Sequence, residues 1–227
     1  YIKTMENTLI TDMFGVGAHY GYSRTRRHPT TMSYIFGSKN KTDIIDLEQT
    51  AAQLVTATEL IKATKASGKQ ILFVGTKMET KELVRMYAES INMPYVENRW
   101  IGGTLTNEKQ IKSRVNLLED LSDKKEKNEL VVINKKEKLL IDRKIEKLYK
   151  NFNGITSLTG LPALMVVIDT REEHIAVTEA NRLGIPVIGL CNTDCNLDMV
   201  AFPIVANDGS KKSIEFFLKQ MTEAYKA

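Results

Sequence analysis

Hydrophobic positions along this chain fall into two alternating rhythms. "KQILFVGTK" is a short apolar run between Gly68 and Gly75, and "METKELVRMYAES" after it sets Leu83, Tyr87 and Ala88 near helical spacing. "MPYVEN" is a second short strand opened by a proline. Further on, "ALMVVIDT" is apolar throughout, "REEHIAVTEANRLG" has the pattern of a helix stopped at Gly184, and "IPVIGL" is apolar again. Strand, helix, strand with a glycine stop predicts βαβ units, and strands that are continuously apolar predict a parallel sheet covered on both faces. "DLEQTAAQLVTATELIKATKASG" predicts a helix with Leu47, Leu54 and Ile61 on one face. The C-terminal "SKKSIEFFLKQMTEAYKA" predicts another, opened by a Ser cap, with Ile214, Phe217, Leu218 and Met221 turned to the sheet.

One stretch breaks the alternation. From Asn107 to Phe152, Ile111, Val115 and Leu118 recur on the first half and Ile141, Ile145, Leu148 and Phe152 on the second, with polar "SDKKEKNE" between them. Two amphipathic helices folded into a hairpin fit that pattern. Glu108 to Lys150 holds 13 Lys and Arg against 9 Asp and Glu, so the hairpin is highly charged, and its narrow apolar seam serves one partner helix as it protrudes. "YIFGSKNKTDIIDL" reads as a β-hairpin turned at Gly37 to Asn40.

The expected fold class is therefore α/β, a Rossmann-like or flavodoxin-like parallel sheet flanked by helices with an inserted helical hairpin of coiled-coil type. The expected organisation is an N-terminal arm and hairpin over 1–45, a sheet domain from 46–106 and 153–227, and the helical insertion over 107–152. The 227 residues suffice for a full core without cross-links. Apolar runs such as Ile71 to Val74 are too short to cross a bilayer, and no basic stretch leads into an apolar one at the start, so a soluble, non-secreted protein is expected. Cys191 and Cys195, with no histidine nearby, read as reduced structural thiols.

Charge changes the picture more than composition does. The net +4 is modest, but Met13 to Thr42 contains no Asp or Glu, although these make up 28 of the 227 residues. Within that run stand Arg24, Arg26, Arg27, Lys39 and Lys41, interleaved with Phe14, Tyr20, Tyr22, Tyr34 and Phe36. A solvated basic face and a polyanion-binding arm both fit this pattern. If it is an arm, mutual repulsion keeps it poorly ordered until phosphate is bound, and a chain starting at Thr42 still folds. "NRWIGGTLTN" adds Arg99 beside the single Trp100, two glycines and a set of hydroxyls and amides suited to phosphate. Its other reading is a tight loop around a buried Trp.

Enzyme signals are weaker. "GVGAHYG" approaches a dinucleotide fingerprint without a strand before it or a helix after it, and "VGTK" lacks the spacing of a phosphate loop. His19 and His174 have no nucleophile at a suggestive spacing. Asp194, Asp198 and Asp208 follow the last core strand, where they could bind a hard cation such as Mg or simply be solvated.

"HYGYSRTRRHP", "YIFGSKNKTDIIDL", "ILFVGTK", "NRWIGGTLTN", "GITSLTGLPALMVVIDT", "EHIAVTEANRLGIPVIGLCNTDCN" and "FPIVANDGS" stand in the order and spacing of bacterial-type small ribosomal subunit protein two, which the chain resembles over nearly its whole length. The resemblance implies a structural, non-catalytic protein bound to small-subunit rRNA where head meets body, without a cofactor. It implies Arg24, Arg26, Arg27, Lys39, Asn40 and Lys41 as RNA-facing in the arm, and Arg99, Trp100, Thr104, Thr106, Asn107 and Lys109 in the loop. Neighbouring small-subunit proteins, ribosomal protein one among them as in relatives, are the implied partners, with neither a membrane nor a homo-oligomer expected. The implied location is the ribosome of the cytoplasm or of an organelle matrix. Where the family carries Trp-Asn before its proline this chain has Arg27-His28, and Asn192, Asp194 and Asn196 alter its acidic loop. An enzyme or sensor that binds a nucleotide or sugar phosphate at the strand ends is the alternative.

Overall fold

The computed structural model describes residues 2–127 and 135–227. Five parallel strands form the main sheet: β4 (Ile71–Val74), β5 (Tyr95–Val96), β6 (Leu164–Ile168), β7 (Val187–Cys191) and β8 (Phe202–Val205), with β1 to β3 in a separate small sheet. Their spatial order is β5-β4-β6-β7-β8. Pairing is in register across the centre, with Phe73 beside Val166 and Val166 beside Ile188. The apolar strands divide by pleat parity, because successive side chains leave on opposite faces. Ile71, Phe73, Leu164, Val166 and Ile168 face one layer of core, and Leu72, Val74, Met165 and Val167 face the other.

The first layer is closed by α1 (Ile2–Gly15), α2 (Leu47–Ala66), α3 (Lys81–Glu89) and α7 (Lys211–Lys226), through Met13, Leu54, Ile61, Leu83, Ile214 and Phe217. α2 begins where the Asp46 side chain accepts the Glu48 N–H, and ends before Gly68 at φ 66°, a left-handed position that glycine occupies without strain. Ser210 stands at the N-cap of α7 but makes no side-chain capping bond. The second layer is closed by α6 (His174–Arg182) and the feet of α4 (Glu108–Glu126) and α5 (Lys135–Phe152).

α4 and α5 share an apolar seam at the sheet end, where Ile111, Val115, Leu118, Leu148 and Phe152 join the second layer. Burial fades along α5 away from the sheet: Ile145 and Ile141 are half-buried, and Leu140 is 57% exposed. Lys125 and Asp142 pair across the two helices at 2.7 Å. Of the polar turn expected over 122–129, residues up to Glu126 continue α4, and those from 128 lie outside the described residues.

The N-terminal segment departs from expectation. It is no loose arm; β1 (Tyr20–Ser23), β2 (Ile35–Lys39) and β3 (Thr42–Ile45) form a three-stranded antiparallel sheet in the order β1-β3-β2. That sheet is tied to the main one by the loop after β7. Tyr22 N donates to Thr193 Oγ1 at 2.9 Å, His28 N and Thr31 Oγ1 donate to Thr193 O at 2.8 and 2.9 Å, and Gly21 lies so close that a Cβ there would meet Thr193 Cγ2 at 2.6 Å. Met13 and Ala18 are wholly buried. Hydrogen bonds to the loop after β7 and apolar contacts with the core oppose the repulsion among the cations.

Removing residues 1–41 therefore strips the core of Met13, worth about 1.5–3 kcal/mol, and loses three hydrogen bonds to Thr193 at about 0.5–1.5 kcal/mol each. The expected result is a melting temperature far below that of the full chain. Equal melting curves for the two would show the segment to be dispensable.

Candidate nucleic-acid interface

The five cations of the acid-free run divide into one that faces inward and four that do not. Arg27 grips the fully buried Asp43, with Nε 2.7 Å from Oδ2 and Nη2 2.5 Å from Oδ1, while Ser38 Oγ donates to Oδ1 at 2.6 Å. The guanidinium, ahead of the serine, holds the Asp43 carboxyl below its ordinary range against the opposing effect of burial. Of the cations expected to face RNA, Arg27 is thus the one engaged by the fold, its side chain 16% exposed. Arg24, Arg26, Lys39 and Lys41 are exposed, and none forms an ion pair among the described residues. They converge because Arg24 N donates to Lys41 O at 2.9 Å, joining the one-turn 3-10 helix Arg24–Arg26 to the β2–β3 turn. Arg26 also lies over the Tyr22 ring, 5.7 Å from its centroid.

The turn itself is tight. Lys39 pairs with Thr42, leaving Asn40 and Lys41 as the two turn residues, at φ 52° and 64°. Two positive φ values mark a primed hairpin turn, for which Asn-Gly is the least strained pair. Lysine in the second place costs about 1–2 kcal/mol of backbone strain relative to glycine.

The "RWIGGTLTN" loop is organised from within. Glu179 of α6, only 6% exposed, inserts its carboxylate into the loop. Oε1 accepts Trp100 Nε1 at 3.2 Å and Gly103 N at 2.7 Å, and Oε2 accepts Leu105 N at 3.1 Å with longer bonds from Thr106 N and Oγ1 at 3.4 Å. Trp100 and Thr104 are buried, the latter donating to Ile101 O at 2.6 Å. Both expected RNA-facing residues are placed inside the loop as its supports, which matches the reading of a tight loop around a buried Trp. Arg99, Thr106, Asn107 and Lys109 remain on the surface. No sequence signal points to Glu179, since it lies 73 to 79 positions from the groups it binds.

Both surfaces lie beyond the carboxyl ends of the parallel strands, one past β5 and the other against the loops after β7 and β8. With strands about 4.8 Å apart, four spacings set them roughly 20 Å from each other. Between them, where the sheet changes direction at β4 and β6, a small-ligand crevice would open in a fold of this kind. Here Lys77 fills that point, its ammonium paired with Asp169 and, at 3.2 Å, with Asp208. Burial pulls the Lys77 value down, but the two carboxylates more than offset this and leave it raised. Burial first, and Asp169 second, push the Asp208 carboxyl up to about 6. Asp194 pairs with Arg171, Asp208 also accepts from Asn192, and Asp198 is exposed on its own turn. The three acids are not brought together, and among the described residues no group of three His, Cys, Asp or Glu is placed to hold a metal. Cys191 and Cys195 are free and buried, and His174 is exposed with Nδ1 3.3 Å from Arg171 O.

These features define a doubly covered parallel α/β protein with cationic loops at one end of its sheet. The chain belongs to the ribosomal protein S2 family, whose model matches residues 13–227. It is 40% identical over 213 residues to the small ribosomal subunit protein uS2 of Wolinella succinogenes, covering 94% of this chain and 79% of that one. The protein of the same name from Helicobacter hepaticus is 41% identical, with 94% and 81% covered, and that of Karelsulcia muelleri is 40% identical over 209 residues, with 92% and 94% covered.

Glu179→Ala leaves the Trp100 indole and the backbone N–H groups of Gly103 and Leu105 without their acceptor, at about 1–3 kcal/mol each. We expect a destabilised loop and a red-shifted emission from the single Trp. An unshifted emission maximum would show that the loop holds its shape without the carboxylate.

Proposed function

We propose that this chain is a structural component of the small ribosomal subunit that seats itself on rRNA through the exposed cations of its N-terminal sheet and of the loop after β5. The observation that carries the reading is the division of the cations: Arg27 is consumed by Asp43, while Arg24, Arg26, Lys39 and Lys41 converge on one tip with no carboxylate paired to them among the described residues. Cations grouped this way repel one another unless phosphate lies between them, and releasing the counterions of a polyanion drives association. Membership of the ribosomal protein S2 family supports the same reading, as do relatives that carry the name of a small-subunit protein. A seat where head meets body, with neighbouring subunit proteins including ribosomal protein one, is the finer form of this proposal. Lys77 argues against the small-ligand alternative, because its charge is already balanced from within.

The test is binding to small-subunit rRNA across a range of salt. Changing Arg24, Arg26, Lys39 and Lys41 together to Ala should weaken binding and flatten the log–log salt slope by about 0.7–0.9 for each phosphate that is no longer neutralised. Unchanged affinity and slope would sink the proposal.

Lys41→Gly gives a sharper separation. It relieves the strained turn, so the melting temperature should rise, while the missing cation should weaken RNA binding. A single change that moves stability and affinity in opposite directions is not expected of a residue retained for folding; if both fall together, Lys41 serves the fold.

A further inference from the structure

The solvent face of the small sheet carries a feature that the cations do not explain. Phe14, His19 and Tyr20 stack. The imidazole centroid is 4.4 Å from that of Phe14 with the planes 10° apart, and 4.1 Å from that of Tyr20 with the planes 38° apart. The exposure runs opposite to what a core cluster would give. His19 between them is 7% accessible, whereas Phe14 is 62% and Tyr20 52% accessible. Two large flat rings are thus held in water, backed by a third.

The backbone that carries the stack is fixed by hydrogen bonds and burial. Ile45 N donates to His19 O at 2.8 Å, Asn207 donates from N to Ala18 O at 2.9 Å and from Nδ2 to Gly17 O at 3.0 Å, and Met13 beside Phe14 is wholly buried. A seat ordered in advance binds without the entropy cost of ordering itself.

Its place relative to the charges follows from the strand register. Tyr20, Ile44 and Gly37 form one row across β1, β3 and β2, and Ser23, Thr42 and Lys39 form the next, two residues along β3. Residues two apart on a strand share a face, and Asp43 and Ile45 are buried on the other. Tyr20 therefore stands at one end of this half-exposed face and Lys39 at its other, with Arg24, Arg26 and Lys41 in the adjoining turns and none of the four ion-paired among the described residues. The rows lie about 7 Å apart, the scale of one nucleotide.

We infer that the outward face of Tyr20, braced from behind by His19 and Phe14, forms a stacking seat for an unpaired base of RNA whose neighbouring phosphates lie on Arg24, Arg26, Lys39 and Lys41. The inference rests on the rRNA-binding reading and adds the class of RNA taken at this face. A base inside a duplex is already stacked on both sides and cannot use such a seat, so the partner is a bulged, looped or single-stranded nucleotide. Aromatic stacking serves any base, because every base has a π-face, so no strong sequence preference is expected.

The test uses the full chain and two labelled RNAs, a single-stranded oligoadenylate of about ten nucleotides and a fully paired hairpin with a similar number of phosphates. Phe14→Leu with Tyr20→Leu keeps apolar bulk while removing both rings, and because these side chains are exposed the variant should stay folded; a melting curve checks this. The double variant should lose roughly 5- to 150-fold in affinity for the single strand, the fold-change expected of one stacked base. It should keep the wild-type salt slope and bind the paired hairpin within about two-fold. Tyr20→Phe should bind both RNAs as wild type does. The quadruple cation variant should weaken both. If the ring variant binds the single strand normally while the cation variant does not, the seat is wrong and the phosphate reading stands. Equal loss on both RNAs would show that the rings act through the fold, which also overturns the seat. If the wild-type chain binds neither RNA at low salt, the seat falls together with the reading beneath it.

Discussion

Thr193, wholly buried in the loop after β7, is the residue on which the arrangement of this molecule turns. Its carbonyl and hydroxyl receive the backbone and side chain of three residues from the N-terminal segment, and these bonds hold the segment flat against the parallel sheet. Once it is docked, Asp43 is sealed underneath with Arg27 as its counterion. A buried carboxylate without that partner would be strongly destabilising, so the pair and the docking stand or fall together. The outward direction of the remaining cations follows from this inward commitment.

The same economy appears at the centre of the sheet. Parallel α/β folds present a crevice where strand order reverses, and many proteins place ligands there, yet fold alone does not decide function. In this chain the position holds Lys77 between Asp169 and Asp208, with Glu173 accepting from Thr76 beside it. Asp169 adopts φ 62°, a left-handed conformation uncommon outside glycine, and its Oδ1 also accepts the N–H groups of Arg171 and Glu172. The polar groups at the switch point are turned toward one another, and the chemistry offered to a partner is left to the loops at either side.

The sheet was legible in the sequence because continuous apolar runs separated by helical periodicity leave few alternatives. β8 was not, since Pro203 interrupts a four-residue run that pairs only along β7. α1 escapes a reading of the sequence because "TLITDMF" carries no capping signal, and its burial depends on α2, thirty-odd residues further on. The absence of carboxylates from Met13 to Thr42 was a sound guide to charge and a poor one to order. It held no sign that Arg27 finds Asp43 one residue beyond the run's end. The glycine-rich loop shows the same limit: its residue types suit phosphate, and the structure turns Trp100 and Thr104 inward around Glu179 instead, a partner set by tertiary folding alone.

The docking of β1 also bears on the order in which the molecule is made. Tyr22 and its acceptor on Thr193 are 171 positions apart. At about 5–20 residues per second, the basic segment leaves the synthesising ribosome roughly ten to thirty seconds before the loop that receives it. Asp43 emerges only 16 positions after Arg27, so that pair can close within about one to three seconds, while the docking of the segment on Thr193 must wait. A polyanion that captures the segment during that wait would compete with its docking on Thr193, so the closing of the domain and the choice of partner are linked in time as well as in space.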